Sequence, residues 1–208
     1  MRADYKKPPR PGVDSSDMRL VLLFAIASVA QPRAAAAQPC AEEAAELRAH
    51  LDTEARRARR WNTAWAIGFG TAAAAQLTLG IAKAKPFGTF DRDYEETVYV
   101  GAIKASVGLF ARAVLPLRIR VPRATDTPCS DVPALRAALA DAGRRERRTF
   151  WLTHLGGMAL NLAGVAVLTY RRSFRVGAIS FLISSPVGPA SAYTQPRRSW
   201  HEWRDRRA

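Results

Sequence analysis

The sequence predicts an all-α fold: a polytopic membrane helical bundle with four transmembrane helices in two tandem helix-span-span repeats. Three observations predict it. Long segments almost free of charge alternate with arginine-rich ones, although the mean hydropathy of the 208-residue chain is only -0.15. The chain also repeats itself, since Leu47 matches Leu135, 88 positions later. Finally, an apolar run near the N-terminus resembles a secretory signal.

The repeat relates residues 47–79 to residues 135–167. In each copy a polar stretch, an arginine cluster and a long apolar stretch follow one another. The matched residues are Leu47 and Leu135, Arg48 and Arg136, Leu51 and Leu139, Arg56 and Arg144, Arg57 and Arg145, Arg59 and Arg147, Arg60 and Arg148, and Gly68 and Gly156. Similarity at a fixed interval indicates duplicated architecture.

The N-terminus predicts a cleaved signal peptide. An apolar run at residues 20–30 precedes small residues, and Ala35 and Ala37 form an A-x-A-like cleavage site. The stretch before Met18 is rich in proline and charge, so Met18 is a candidate for the true start. An uncleaved signal anchor is the alternative. The predicted parts are an extension with the signal (1–37), repeat unit one (38–120), repeat unit two (121–194) and a basic tail (195–208).

Each unit is expected to begin with a polar amphipathic helix and continue into an apolar span. Residues 41–60 contain no proline or glycine, begin with glutamates and end with arginines, which suits the helix dipole. The matching helix ends at Arg148 and has Pro133 in its first turn. The spans that follow, residues 61–82 and 149–170, are long enough to cross a hydrocarbon core about 30 Å thick.

Two weaker spans complete the units. Residues 97–117 are interrupted by Lys104 and Arg112, and residues 175–193 are broken by Pro186. Two spans per unit return the chain to its starting side, so the repeats are expected to be parallel. A soluble alanine-rich bundle is the alternative, because several spans carry polar residues.

The two cysteines predict both a bridge and an orientation. Cys40 and Cys129 stand at equivalent places in the two units, so a disulfide outside the cytoplasm is expected, with two free thiols as the alternative. The signal places the mature N-terminus and the tail outside a bacterial inner membrane, because outer-membrane spans are usually barrels. The positive-inside rule predicts the opposite orientation. We follow the signal and the cysteines.

The net charge of +14 predicts an anionic partner. The arginines lie beside apolar segments rather than along one stripe, which favours the lipid bilayer and its anionic headgroups over nucleic acid. A soluble basic helical protein that binds nucleic acid is the alternative. The tail is expected either to lie on the membrane surface or to stay solvated. The headgroup candidates are Arg56, Arg57, Arg59, Arg60, Arg144, Arg145, Arg147 and Arg148.

Four polar residues within the spans are candidates for a buried role. Lys104 and Arg112 share a broad helix face, and His154 and Asn161 are seven residues apart on another. An ionisable group in a span is expensive and by default suggests function, such as an anion site or a pore. Pairing with neighbouring helices is the interpretation we favour, because polar side chains commonly join spans in this way.

The sequence contains no complete catalytic or cofactor motif, so we expect no enzyme, cofactor or metal site. The acidic stretch at residues 91–96 lacks the glycine and the distal glutamate of a calcium loop, and would instead pair with Arg92 or Lys104. The predicted function is a non-enzymatic structural or interaction component that assembles with itself or with another membrane protein. A small transporter or channel subunit is the alternative.

Overall fold

The computed structural model describes residues 15–83 and 92–206, with side chains from Pro39 onward. Within those residues the chain is helical and has no strand, which confirms the all-α prediction. The extension before Ser15 lies outside the described residues. The signal-like run lies in the first helix, where only the backbone is described. The helices are α1 (Ser15–Ile81), α2 (Arg92–Val114), α3 (Pro128–Arg171), α4 (Phe174–Ser184), α5 (Val187–Tyr193) and α6 (Arg198–Asp205).

Each predicted polar helix and the span after it form one continuous helix. In α1 the arginine cluster passes directly into Trp61, and in α3 Arg148 passes directly into Thr149. The sequence pattern predicts separate elements, but no proline or glycine separates them at either junction. At 1.5 Å per residue, the 44 residues of α3 reach about 66 Å, well beyond one hydrocarbon core. The polar part of α3 therefore extends outside any bilayer that its apolar part crosses.

Three helices are long and apolar enough to cross a membrane, namely α1 from Pro39, α2 and α3. The predicted fourth span is divided into α4 and α5, and Pro186 lies between them. Proline has no N–H to donate to the carbonyl of Leu182, one turn earlier, and so a regular helix is interrupted there. Length and composition therefore support three spans, and the fourth passage remains a proposal.

The polar parts of α1 and α3 pack against each other and are joined by a disulfide. Cys40 bonds to Cys129, with their Cα atoms 5.1 Å apart, which confirms the predicted bridge. Below it lies a buried apolar cluster in which residues 88 positions apart face one another. Its members are Ala44, Leu47, Leu51, Val132, Leu135, Leu139 and Ala142. The buried residues that α1 and α3 contribute are thus related by the 88-residue interval of the sequence repeat.

The connection from α2 to α3 runs along α1 without helical structure. Leu117 is buried against Ala58 and Trp61. The Asn62 side chain donates to the Leu117 carbonyl (2.9 Å) and accepts from the Leu117 amide (3.1 Å). One amide side chain therefore satisfies both backbone groups of Leu117, which explains how this segment stays ordered without a helix.

The C-terminal tail forms a helix that packs on the polar parts of α1 and α3. Ser199 is fully buried in this contact. A Cβ added to Gly143 would lie 3.1 Å from the Ser199 carbonyl and 3.2 Å from the Trp203 side chain. Glycine at position 143 therefore permits the close approach of α6. This arrangement differs from both sequence expectations, a membrane-surface tail and a solvated one.

Candidate site of intramembrane polar residues and arginine clusters

Lys104 and Asn161 meet at the end of α4. The Lys104 Nζ donates to the Ser184 hydroxyl (2.9 Å), and the Asn161 amide donates to the Ser184 carbonyl (3.2 Å). The Ser184 hydroxyl in turn donates to the Ser180 carbonyl (2.7 Å). Because Ser184 ends α4, its carbonyl needs a donor from outside the helix, and Asn161 supplies one. These bonds connect α2, α3 and α4.

Arg112 is a buried cation whose described partners carry no full negative charge. Its guanidinium donates to the hydroxyls of Thr153 (3.1 Å) and Ser191 (3.0 Å). It also lies over the Trp61 ring, 4.1 Å from the centroid. Its Nε is buried and has no hydrogen-bond partner in the described part of the chain. Hydroxyl dipoles and an aromatic face therefore stabilise this charge.

His154 lies in an aromatic cluster, away from these hydrogen bonds. Its ring stacks parallel to Phe150, with the ring centroids 6.0 Å apart, and meets Tyr193 edge-on at 6.1 Å. Its Nδ1 is buried and has no hydrogen-bond partner among the described residues. The four polar candidates thus fall into three sets of contacts. Only Lys104 and Asn161 share a partner, so the structure does not assemble the four into one polar line.

The predicted headgroup residues form two clusters that immediately precede the apolar parts of α1 and α3. Arg57 binds Glu54 at 2.7 Å, and Arg145 binds Asp141 at 2.6 Å. The Arg145–Asp141 pair is exposed, and exposed ion pairs contribute little stability, whereas the Glu54 partner of Arg57 is buried. Among the described residues, five of the eight predicted headgroup arginines make no ion pair. They are the exposed residues Arg56, Arg59, Arg60, Arg147 and Arg148, and Arg60 lies beside a groove.

This groove, of about 520 Å³, lies where the C-terminal segment crosses α1. The guanidinium of Arg197 lies over the rings of Phe150 (5.2 Å) and Tyr193 (5.6 Å). The sequence does not predict that the tail lines this groove, because the position of the tail depends on the packing of α6 against helices that are distant in sequence. The charged residues that line the groove are Glu54, Arg57, Arg60, Arg197 and Arg198, and His201 also lines it.

Two carboxyl groups, Glu54 and Glu146, are buried beneath α6. Glu146 is 0% exposed, and its Oε2 accepts from the Trp200 amide at 2.8 Å. Burial, helped by the charge of Glu54 and opposed by the hydrogen bonds from Trp200 and Ser199, raises the pKa of Glu146 to about 7. The Glu54 Oε2 is also buried and has no hydrogen-bond donor in the described structure.

At the opposite end of the apolar helices, the acidic stretch before α2 binds the end of α3. Glu96 pairs with Arg172 at 2.6 Å and with Arg171 at 3.3 Å. The hydrogen bond from Arg171 holds the pKa of Glu96 below its usual range. These arginines, rather than Arg92 or Lys104, are its partners. Residue 91 lies outside the described residues.

The geometry therefore consists of interhelical polar contacts within the apolar region and a charged groove at one end of it. The chain matches no protein-family model, no curated protein and no solved structure. Any function must accordingly be argued from the chain's own residues.

Proposed function

We propose that the chain is a non-enzymatic membrane component that crosses the bilayer four times and assembles with itself or with another membrane protein. The exposure of its apolar helices carries this proposal. Only 11% to 22% of the residues in the most apolar part of each candidate span are buried. Phe110 is 67% exposed and Ile183 is 72% exposed. Apolar surface of this extent requires lipid or partner helices around it.

The fourth passage is proposed to be α4 and α5 together. Gly177, near the start of α4, lies against Thr169 near the end of α3, whereas Tyr193, at the end of α5, lies 5.6 Å from Phe150. The two short helices thus run back along the apolar part of α3. Broken helices are tolerated at membrane depth where other parts of the protein form hydrogen bonds with the freed backbone groups. Asn161 does this by donating to the Ser184 carbonyl.

We place the protein in a bacterial inner membrane. The disulfide supports an orientation in which the arginine clusters and α6 lie outside the cytoplasm. Disulfides persist in oxidising compartments and are rare in the cytosol. The test is labelling of intact cells with a membrane-impermeant maleimide. We expect labelling of Cys40 and Cys129 only after reduction, and labelling of Cys129 without reductant in Cys40→Ser. Labelling of the wild-type protein only after cell lysis would contradict this orientation.

The assembly itself is tested by photo-crosslinking in membranes. A photoreactive residue at Phe110 or Ile183 reports on the exposed faces, and one at buried Ala73 is the matched control. We expect adducts from the exposed positions only. An adduct of twice the monomer mass indicates a homo-oligomer, and one of another mass indicates a different membrane protein. If the exposed positions give only lipid adducts, the assembly proposal is wrong.

A transporter or channel subunit is the second candidate, and the burial of Arg112 favours it. Among the described residues Arg112 has no carboxylate partner, and ionisable residues within spans commonly mark substrate or ion pathways. The test measures anion flux into liposomes that contain the purified wild-type chain, Arg112→Gln or Arg147→Gln. Arg147→Gln changes an exposed arginine and is the control. Flux lost only in Arg112→Gln favours transport, and absence of flux in the wild type excludes the anions tested.

A further inference from the structure

We infer that the groove between α1 and the C-terminal segment binds one anionic phospholipid whose headgroup carries hydroxyl groups, of the phosphatidylglycerol type. The inference rests on the proposed membrane location. It deepens that proposal, because it specifies one lipid at one site rather than general attraction to a charged surface.

The position of the groove suits a lipid headgroup. Arg57 and Arg60 immediately precede the apolar part of α1, and Trp61 contributes to the groove wall. The Trp61 indole donates to the Ser191 carbonyl in α5 (3.2 Å), so the wall is fixed between two apolar helices. Tryptophan and arginine at the start of a span lie at headgroup depth. A phosphate in the groove would leave its acyl chains beside the apolar helices.

The charge of the groove suits a phosphodiester. Arg57 is already paired with Glu54, whereas Arg60, Arg197 and Arg198 have no ion-pair partner among the described residues. Three guanidinium groups are therefore available to a ligand. Arg197 is held in place by the two aromatic rings beneath it, so less conformational freedom is lost when it binds. Guanidinium groups bind phosphate oxygens through paired, charge-assisted hydrogen bonds.

Glu54 specifies what else the ligand must carry. It is 1% exposed and contributes to the groove wall, and its Oε1 accepts a hydrogen bond from Arg57. Its buried Oε2 has no donor among the described residues, which is costly unless a ligand supplies one. A glycerol headgroup supplies a hydroxyl donor. Choline and methanol headgroups have none, and phosphatidylmethanol carries the same net charge as phosphatidylglycerol.

The test is native mass spectrometry of the full chain in an uncharged detergent, titrated with dihexanoyl lipids. The probes are phosphatidylglycerol, phosphatidylmethanol and phosphatidylcholine, with glycerol 3-phosphate as the soluble phosphate. We expect one phosphatidylglycerol per chain, bound about tenfold or more tightly than the other three, because a charged hydrogen bond gained or lost changes affinity by that order. Equal binding of phosphatidylmethanol overturns the role of Glu54, and equal binding of glycerol 3-phosphate assigns the groove to a soluble ligand.

Paired variants separate the site from general charge. Arg60→Gln with Arg197→Gln should weaken phosphatidylglycerol binding about tenfold or more. Arg118→Gln with Arg120→Gln removes the same charge from the exposed connection between α2 and α3, outside the predicted headgroup set, and should leave binding unchanged. Equal weakening by both pairs overturns the inference.

Glu54→Met, which removes both acceptor oxygens, provides the test of selectivity. It should abolish the preference for phosphatidylglycerol over phosphatidylmethanol while retaining phosphate binding, and a retained preference contradicts the inference. Far-ultraviolet circular dichroism of each variant establishes that it is folded. Because all these measurements use purified protein, they are independent of the labelling and crosslinking in membranes that test the proposed function.

Discussion

Glu146 is expected to make the folded protein more stable in weak acid than in weak base. Its pKa is raised from 4.5 to about 7, mainly because the folded chain buries the carboxyl group. The folded state therefore holds the proton more tightly than the unfolded state does. This stabilisation is complete below pH 4.5 and is lost as the pH rises through about 7. Between pH 5 and pH 8 the loss is roughly 2–3 kcal/mol.

The measurement is thermal unfolding of the full chain in an uncharged detergent at pH 5, 6.5 and 8, for the wild type and for Glu146→Gln. Glutamine retains an oxygen that can accept from the Trp200 amide, so α6 should stay in place. Ionisable groups that do not interact with Glu146 contribute equally in the two proteins. The difference between their pH profiles thus reports Glu146 together with its electrostatic interaction with Glu54. Identical profiles, or a wild type that gains more stability toward pH 8, would refute the reasoning.

Two further predictions concern packing within the apolar region. Gly157→Ala should destabilise the fold by about 1–3 kcal/mol, because the new Cβ would lie 3.1 Å from the Gly188 backbone. Its neighbour is the control: Gly156→Ala meets no atom within 4 Å and should be neutral or stabilising, so equal unfolding temperatures would contradict the proposed contact of α3 with α5. Asn161→Ala should cost about 1–2 kcal/mol by removing the donor to Ser184, and an unchanged unfolding temperature would show that this bond contributes nothing.

Local patterns in the sequence were enough to predict the disulfide and the interruption between α4 and α5. Cys40 and Cys129 precede matching leucines in the two units, and this similarity of position led to the bridge that the structure contains. Pro186 prevents a regular helix by its chemistry alone. Both features depend on information that lies close to them in the chain.

The buried carboxyl groups were not predicted, because their burial depends on distant contacts. Glu146 stands among four arginines in the sequence, where a solvated ion pair is the ordinary expectation. Its burial requires α6, about 50 residues away, to pack on α3. One signal was present in the repeat. Glu54 corresponds to Ala142 and Glu146 corresponds to Ala58, so each carboxylate replaces an alanine of the other unit, and all four residues are buried.

The uninterrupted passage of α3 from its polar part into its apolar part has a mechanical consequence. A helix of 44 residues without a joint behaves as a lever about 66 Å long, anchored at one end by the Cys40–Cys129 bond. A tilt of about 5° at the anchored end would displace the far end by roughly 6 Å. A displacement at the end of α3 that carries the disulfide, such as one that accompanies a shift of α6, would thus move Arg171 at the other end of the helix without any change of secondary structure.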